Sequence, residues 1–364
     1  ETNSAFGFGI YYWMINLGAF LAPLVVSVLK GFSWRYVFVA SALYTGLMLL
    51  PTVFVFRDPP RPASTKTLRE VLVGAAEVLA DARFMLMIVV YSGFWVLYFQ
   101  NFGSVLWYLR DFVDRAPVSA AVTSWLRGLG LPWTFTFDVE HVTVINAGTI
   151  ILLQVLISRL VRDWKPLPTM VTGMALGAVG FLLLASSRDP WVFVLGIAVF
   201  SIGEMTAHPK YYSFVGLVAP ADRKAVYMGY AFLYGVLGSL LGSSLGAFLY
   251  ETMLKPALGT AQADARARTF WLLFAALGVV AVAGLVVFAR HFGANTEATR
   301  GRARLIMRGV YAAVLLVGAV FLYAAFSSTP VQARTAVQAV IFVALGAGGL
   351  LVDRSRGGAA VRHD

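Results

Sequence analysis

Glu204 sits in the run WVFVLGIAVFSIGEMTAH, Trp191 to His208, whose composition is otherwise that of a membrane-spanning helix. A carboxylate in low dielectric has to be protonated, paired with a cation or turned toward a water-filled cavity, and each of these is a way of handling ions or solutes. The bland alternative is a packing glutamate bonded to a neighbouring helix. Tyr12, Asn16, Tyr98, Gln100, Asn101, Asn146 and Tyr234 also lie inside apolar stretches, where an unpaired polar group costs free energy. Together they could wall a solute cavity around the acid, while each taken alone could equally bond one helix to another.

Enzyme chemistry finds little support. The chain has no cysteine, which removes disulfides and thiolate metal sites. Its four histidines form no HExxH or comparable metal spacing. An acyltransferase-type HxxxxD pattern is absent, because Asn146 follows His141 at the fifth position and Ser213 follows His208. His141, His208, His291 and His363 fall near expected span ends, where solvated or interfacial rings are the simpler reading. We therefore expect no enzyme activity, no metal and no cofactor.

The elements that must position these residues are membrane helices. Hydrophobic residues make up 59% of the chain, charged residues only 13%, and the mean hydropathy is +0.76; soluble domains carry about 25% charged residues. Ten stretches have the roughly 20-residue length that crosses a bilayer: 5–29, 34–56, 84–109, 139–161, 167–187, 191–216, 225–250, 269–290, 305–326 and 334–352. The net charge of +11 does not point to nucleic acid, since the basic residues lie between the apolar runs. Most of them fall in one alternate set of loops, which the positive-inside rule makes cytoplasmic, together with the C-terminal tail.

The chain opens at Glu1 and enters its first span without a basic leader segment, so it reads as the downstream part of a longer protein. Residues 57–83 form a linker: RDPPRP ends the second span, and Ala63 to Arg83 follows with Leu68, Val71, Leu72, Val78 and Leu79 on one helical face. Thr67 and Glu70 have capping-box spacing, which predicts an amphipathic helix on the cytoplasmic surface, either solvated or partner-binding. Phe112 to Asp138 reads as a loop resting on headgroups. Gly238, Gly242 and Gly246 recur every four residues, a small-residue stripe that suits close helix packing or, less simply, bending.

The segment GEMTAHPKYYSFVGLVAPADRKAVYMGYAFLYGVLG, Gly203 to Gly238, resembles the tenth and eleventh helices of the proton-dependent oligopeptide transporters of the major facilitator superfamily. The likeness is carried by Gly203, Glu204, Pro209, Tyr212, Ala219, Pro220, Asp222, Tyr227, Met228 and Gly229. YYWMINLGAF resembles the family's fifth helix at Tyr12, Ile15, Asn16 and Gly18; FWVLYFQNFGSVL resembles its seventh, and VINAG, more loosely, its eighth. The resemblance covers roughly residues 5–290. It implies an all-α integral membrane protein with a partial major facilitator fold, helices five to twelve plus two additional C-terminal spans. It also implies that Phe99 stands where the family's seventh helix has a titrating glutamate, with Gln100 as the glutamine after it.

The expected organisation is a two-span remnant of an N-terminal bundle (1–56), the linker (57–83), a six-helix bundle (84–292), two further spans (303–353) and a cytoplasmic tail (354–364). The expected function is secondary transport of small peptides or related nitrogenous solutes across a bacterial inner membrane by alternating access, linked to protons, with the lipid bilayer as the other partner. A zwitterionic peptide needs an anion for its ammonium and donors for its carboxylate and amides. Glu204 supplies the anion and is the candidate for proton coupling; Asn16, Tyr12, Tyr98, Gln100, Asn101, Asn146 and Tyr234 supply the neutral wall. The alternatives are a transporter of a different small solute without proton coupling, and a non-catalytic membrane partner protein.

Overall fold

The computed structural model describes residues 2–57, 67–327 and 333–360, with no side-chain detail for 2–13, 68, 69, 71, 72, 75, 334 and 354–360. The described residues form helices and no strand, and ten helical segments are long and apolar enough to cross a membrane. These match the ten expected stretches, with three instructive differences.

The stretch expected as a single span over 84–109 is broken. Helix α5 (Ala82–Tyr98) passes into a 3₁₀ turn at Phe99–Phe102 and restarts as α6 (Ser104–Phe112) after Gly103 leaves the helical region at φ −148°, ψ −93°. At the break, the Gln100 amide donates to the carbonyl of Val96 four residues back, at 2.7 Å. In the loop after α6, residues 116–128 form a helix, α7, with Pro117 in its first turn, where a missing N–H costs nothing. The Ser119 and Thr123 hydroxyls accept from the N–H groups of Phe137 and Phe135, folding this segment into a small cap. Finally, α14 (Glu297–Ser327) starts well before its apolar stretch, so Arg300, Arg302, Arg304 and Arg308 are helical rather than loop residues.

The chain divides into two compact units. The first comprises residues 1–64, 93–214 and 235–282. It holds α1 (Thr2–Phe32), α2 (Trp34–Leu47), α3 (Leu49–Phe54), α8 (His141–Leu160), α9 (Pro166–Ser186) and most of α10 (Pro190–Val218). It also holds α6, α7 and the larger parts of α12 (Leu233–Leu249) and α13 (Ala263–Phe292). Its core is aromatic: Phe94, Tyr108, Phe181, Phe193, Phe200, Trp271 and Phe274 are all essentially inaccessible.

Glycines bring the backbones of this unit together. A Cβ on Gly203 would lie 2.5 Å from the carbonyl of Gly173 and 2.7 Å from the Gly177 nitrogen, and one on Gly180 would lie 2.7 Å from the Gly196 carbonyl. Helices α9 and α10 therefore cross with no side chain between them. Gly238, Gly242 and Gly246 of α12 meet Trp95, Val96 and Gln100, where added Cβ atoms would fall 2.4, 2.8 and 2.2 Å away. The four-residue glycine stripe is thus a fixed packing face, the simpler of its two expected readings.

The second unit comprises 65–92, 215–234 and 283–364. Helix α4 (Leu68–Leu79) opens on the expected capping box: Glu70 N–H donates to Thr67 Oγ1 at 3.3 Å, and Thr67 N–H to Glu70 Oε2 at 2.8 Å. It is not a plain solvated helix. Glu77 pairs with Arg223, and Tyr227 of α11 (Lys224–Tyr230) donates to Asp81 at 2.9 Å. Arg83 is buried and gives hydrogen bonds to the Phe292 and Gly293 carbonyls at 2.6 and 2.7 Å, satisfying the end of α13 with a cation as its dipole favours. Helix α14 packs along α15 (Ala333–Ala360), its seam again built on glycine: Cβ atoms on Gly318 and Gly346 would sit 2.7 and 2.6 Å from backbone nitrogens opposite. Arg304 and Arg308 both reach Asp353 across this seam.

Candidate solute site

Glu204 is 5% exposed and stands directly after the glycine crossing, so α9 fixes its depth in α10. Its Oε2 accepts one hydrogen bond, from Asn146 Nδ2 on α8 at 3.0 Å. Asn146 also donates to Ser201 Oγ at 2.8 Å, and Ser201 is held in turn by the Ile197 carbonyl at 2.8 Å. Among the described residues no cation lies within ion-pair distance of Glu204. One turn on, Pro209 lies inside α10 and has no N–H to give to the Met205 carbonyl, which leaves an acceptor beside the acid. A buried anion with a neutral donor and a spare carbonyl is suited to a group that brings positive charge and several N–H donors.

Asn16, on α1, is buried with 8% exposure. Helix α1 runs antiparallel to α8: a Cβ on Gly148 would meet the Phe20 ring at 3.1 Å, and Lys30 reaches Glu140 at 2.9 Å. Counting from the Phe20–Gly148 contact at 1.5 Å per residue, Asn16 and Asn146 differ in depth by about 9 Å. They belong to one seam but not to one level. Tyr12 carries no described side chain.

Gln100 takes the helix-bonding role rather than a cavity role. It is 1% exposed; its amide nitrogen donates to the carbonyls of Val96 and Gly242, and its oxygen accepts from Ser104 Oγ, all within 2.9 Å. Its neighbour Asn101 is 5% exposed, and neither side-chain polar atom has a hydrogen-bond partner among the described residues. Tyr98 is half-buried in an aromatic group with Trp95 at 4.4 Å, Phe99 at 5.5 Å and Phe102 at 5.5 Å. Tyr234 belongs to the second unit, where it is buried edge-on against Tyr91.

Two histidines differ from expectation. His208 lies inside α10, edge-on to Trp95 and Tyr212 at 5.1 Å each, because the helix continues to Val218. His141 is 3% exposed; its Nδ1 accepts from Asp138 N–H at 3.1 Å, and its ring packs on Phe135 and Phe137. The helical phase of His208, one turn past Glu204, is the sequence signal that places it inside α10 rather than at a span end.

At the far end of the α1–α8 seam, Lys30 binds both Asp138 and Glu140, and Arg115 also pairs with Asp138. Burial alone would raise the Asp138 pKa, but the Lys30 ammonium, the Val139 N–H and Arg115 outweigh it and hold the carboxyl below its ordinary value.

Residues 1–243 match the Major Facilitator Superfamily, and the chain belongs to that superfamily. Two solved structures share its fold, each covering 80% of this chain and 70% of the other at 17% identity. One is a POT family transporter in complex with thioalcohol conjugated peptide (TM-score 0.57), the other a POT family transporter in complex with 5-aminolevulinic acid (TM-score 0.56). By sequence, the chain is 23% identical over 228 residues to the uncharacterized MFS-type transporter YttB of Bacillus subtilis. It is 25% identical over 285 residues to the multidrug resistance protein MdtH of Aeromonas salmonicida. The matches cover 61% and 76% of this chain but only 52% and 62% of those relatives.

Proposed function

We propose that this chain is part of a secondary transporter that carries small peptides or related nitrogenous solutes by alternating access, with Glu204 receiving the solute's ammonium group. The observation that carries the reading is the buried carboxylate with a single neutral partner. Such a group either takes up a proton or accepts a cationic partner, and exchange between the two is the chemistry of a proton-linked carrier. The peptide and 5-aminolevulinic acid complexes of proteins that share this fold support a solute of that kind.

In this reading residues 1–56 are the remnant of one bundle, 84–292 form the other, 57–83 link them, and 303–353 add two spans. The near absence of buried residues on α2 and α3 supports it, because spans with so little packed surface suit helices whose partners lie elsewhere. The protein resides in a bacterial inner membrane with residues 354–364 in the cytoplasm.

The test is uptake by the full-length protein and its Glu204→Gln variant in proteoliposomes, with a free-amino dipeptide and its N-acetylated analogue. The variant should lose the free-amino substrate and retain most transport of the blocked one. Equal transport of both would make Glu204 a packing residue and end this reading. A second reading, a carrier of a different small solute without proton coupling, is favoured by Phe99 and its ring contacts with Trp95, Tyr98 and Phe102. Uptake that ignores an imposed pH gradient would select it.

A further inference from the structure

A cavity of about 750 Å³ in the second unit, between α4 and the Asp222–Arg223 turn, has as its one lining cation Arg223, which is already paired with Glu77 and Asp222. A cavity of about 710 Å³ in the first unit is more specific. It lies where α9 ends at Ser186, α10 begins at Pro190 and α13 begins at Ala263, and it shares no residue with the Glu204 site. Its floor is apolar and buried: Leu184, Ala185 and Ala267, with Tyr108 behind them.

The charges around the cavity do not cancel. Arg188 is committed, pairing with Asp264 and donating to the Phe112 carbonyl at 2.7 Å. Arg268, exposed one turn past Asp264, forms no ion pair or hydrogen bond among the described residues, so the cavity carries one uncompensated guanidinium. Ser187 adds a donor: its Oγ accepts from Asp189 N–H at 3.0 Å and keeps its own proton to give. From Arg268 an exposed apolar stripe descends α13 through Leu272, Ala276 and Val279 at helical spacing. Trp191, 49% exposed at the start of α10, is of the type that sits at headgroup depth.

A single unpaired positive charge and a hydroxyl lining one cavity, at the end of the spans and followed by an exposed apolar stripe, match one chemistry. That is a phosphodiester carrying one negative charge and attached to acyl chains. We propose that this cavity is a phospholipid site, with Arg268 and Ser187 holding the headgroup phosphate and Leu272, Ala276 and Val279 holding an acyl chain. The assignment is independent of which solute the protein carries.

The experiment titrates the full-length protein in detergent with dioleoyl phosphatidylglycerol, dioleoyl phosphatidylcholine or sodium phosphate, and follows its thermal unfolding midpoint. Phosphatidylglycerol should raise the midpoint saturably. Arg268→Gln should weaken the apparent affinity about tenfold, the loss expected when a charge-assisted hydrogen bond is removed. Arg266→Gln, an exposed control that lines a different cavity, should leave it unchanged. An equal lipid effect in wild type and Arg268→Gln would overturn the site. If sodium phosphate alone gave the full shift, a free-anion site would replace the lipid one.

Discussion

Gln100 and Glu204 are both nearly inaccessible, at 1% and 5% exposure, yet their surroundings treat them in opposite ways. Gln100 commits both amide donors to Val96 and Gly242 and accepts from Ser104, in a seam where Gly242 and Gly246 leave no room for a side chain. Among the described residues Glu204 has one neutral donor and no cation, in a seam where α9 clamps the backbone but the carboxylate is left with acceptor capacity. A satisfied buried amide fixes a helix pair, whereas an under-satisfied buried acid is costly to keep and persists where a ligand completes it. The contrast separates a helix-pairing residue from a candidate solute-site residue among residues that look alike in the sequence.

The largest effect should come from Glu204→Gln. Removing a desolvated charge partner costs about 2–5 kcal/mol, so affinity for a free-amino solute should fall by roughly 30-fold or more while thermal stability holds. Loss of folding instead of binding would erase the contrast with Gln100. Next is Gly246→Leu, whose Cβ would land on the Gln100 amide oxygen. Overpacking of this kind costs about 1–3 kcal/mol, so folded yield and unfolding midpoint should drop, while Gly229→Leu, with nothing within 4 Å of the added Cβ, should change neither.

Gln100→Leu removes the donor to the Val96 and Gly242 carbonyls and the acceptor of the Ser104 hydroxyl, a loss of about 1–3 kcal/mol. Stability should fall with solute affinity intact, the mirror image of Glu204→Gln; a specific loss of affinity would return Gln100 to the cavity wall. The smallest effect concerns Asp138, whose pKa is lowered in the folded state. Its contribution is complete above the ordinary aspartate value of about 3.9 and is lost as pH falls through the lower folded value. The unfolding midpoint should therefore be insensitive to Asp138 between pH 5 and 8 and decline below about pH 4, and Asp138→Asn should blunt that decline. A difference between wild type and variant in their pH response near neutrality would contradict the assignment.

Much of the architecture was legible because membrane spans are a length-and-hydropathy problem, and the Thr67–Glu70 capping box was readable from its spacing alone. The acid at 204 was conspicuous for the same reason, a charge in an apolar run. Three features were not legible. The break at Phe99–Gly103 occurs in an unbroken apolar stretch and coincides with a side chain taking a backbone carbonyl, which hydropathy does not register. The α7 cap depends on Ser119 and Thr123 meeting residues 12 to 18 positions further on. The different surroundings of Gln100 and Asn146 depend on which neighbours lie within about 3 Å, which residue type and spacing do not encode.

The glycine crossing before Glu204 also limits how this protein can diversify. Sliding α10 by one residue along α9 would turn it by about 100° and bring the β-carbon of Ile202 or Glu204 onto backbone that only a glycine can meet. The acid cannot drift by small steps; it can only stay or jump by whole turns to another small residue. If Glu204 receives the solute, as proposed, variation in what the protein recognises would arise opposite the acid, on α8 around Asn146.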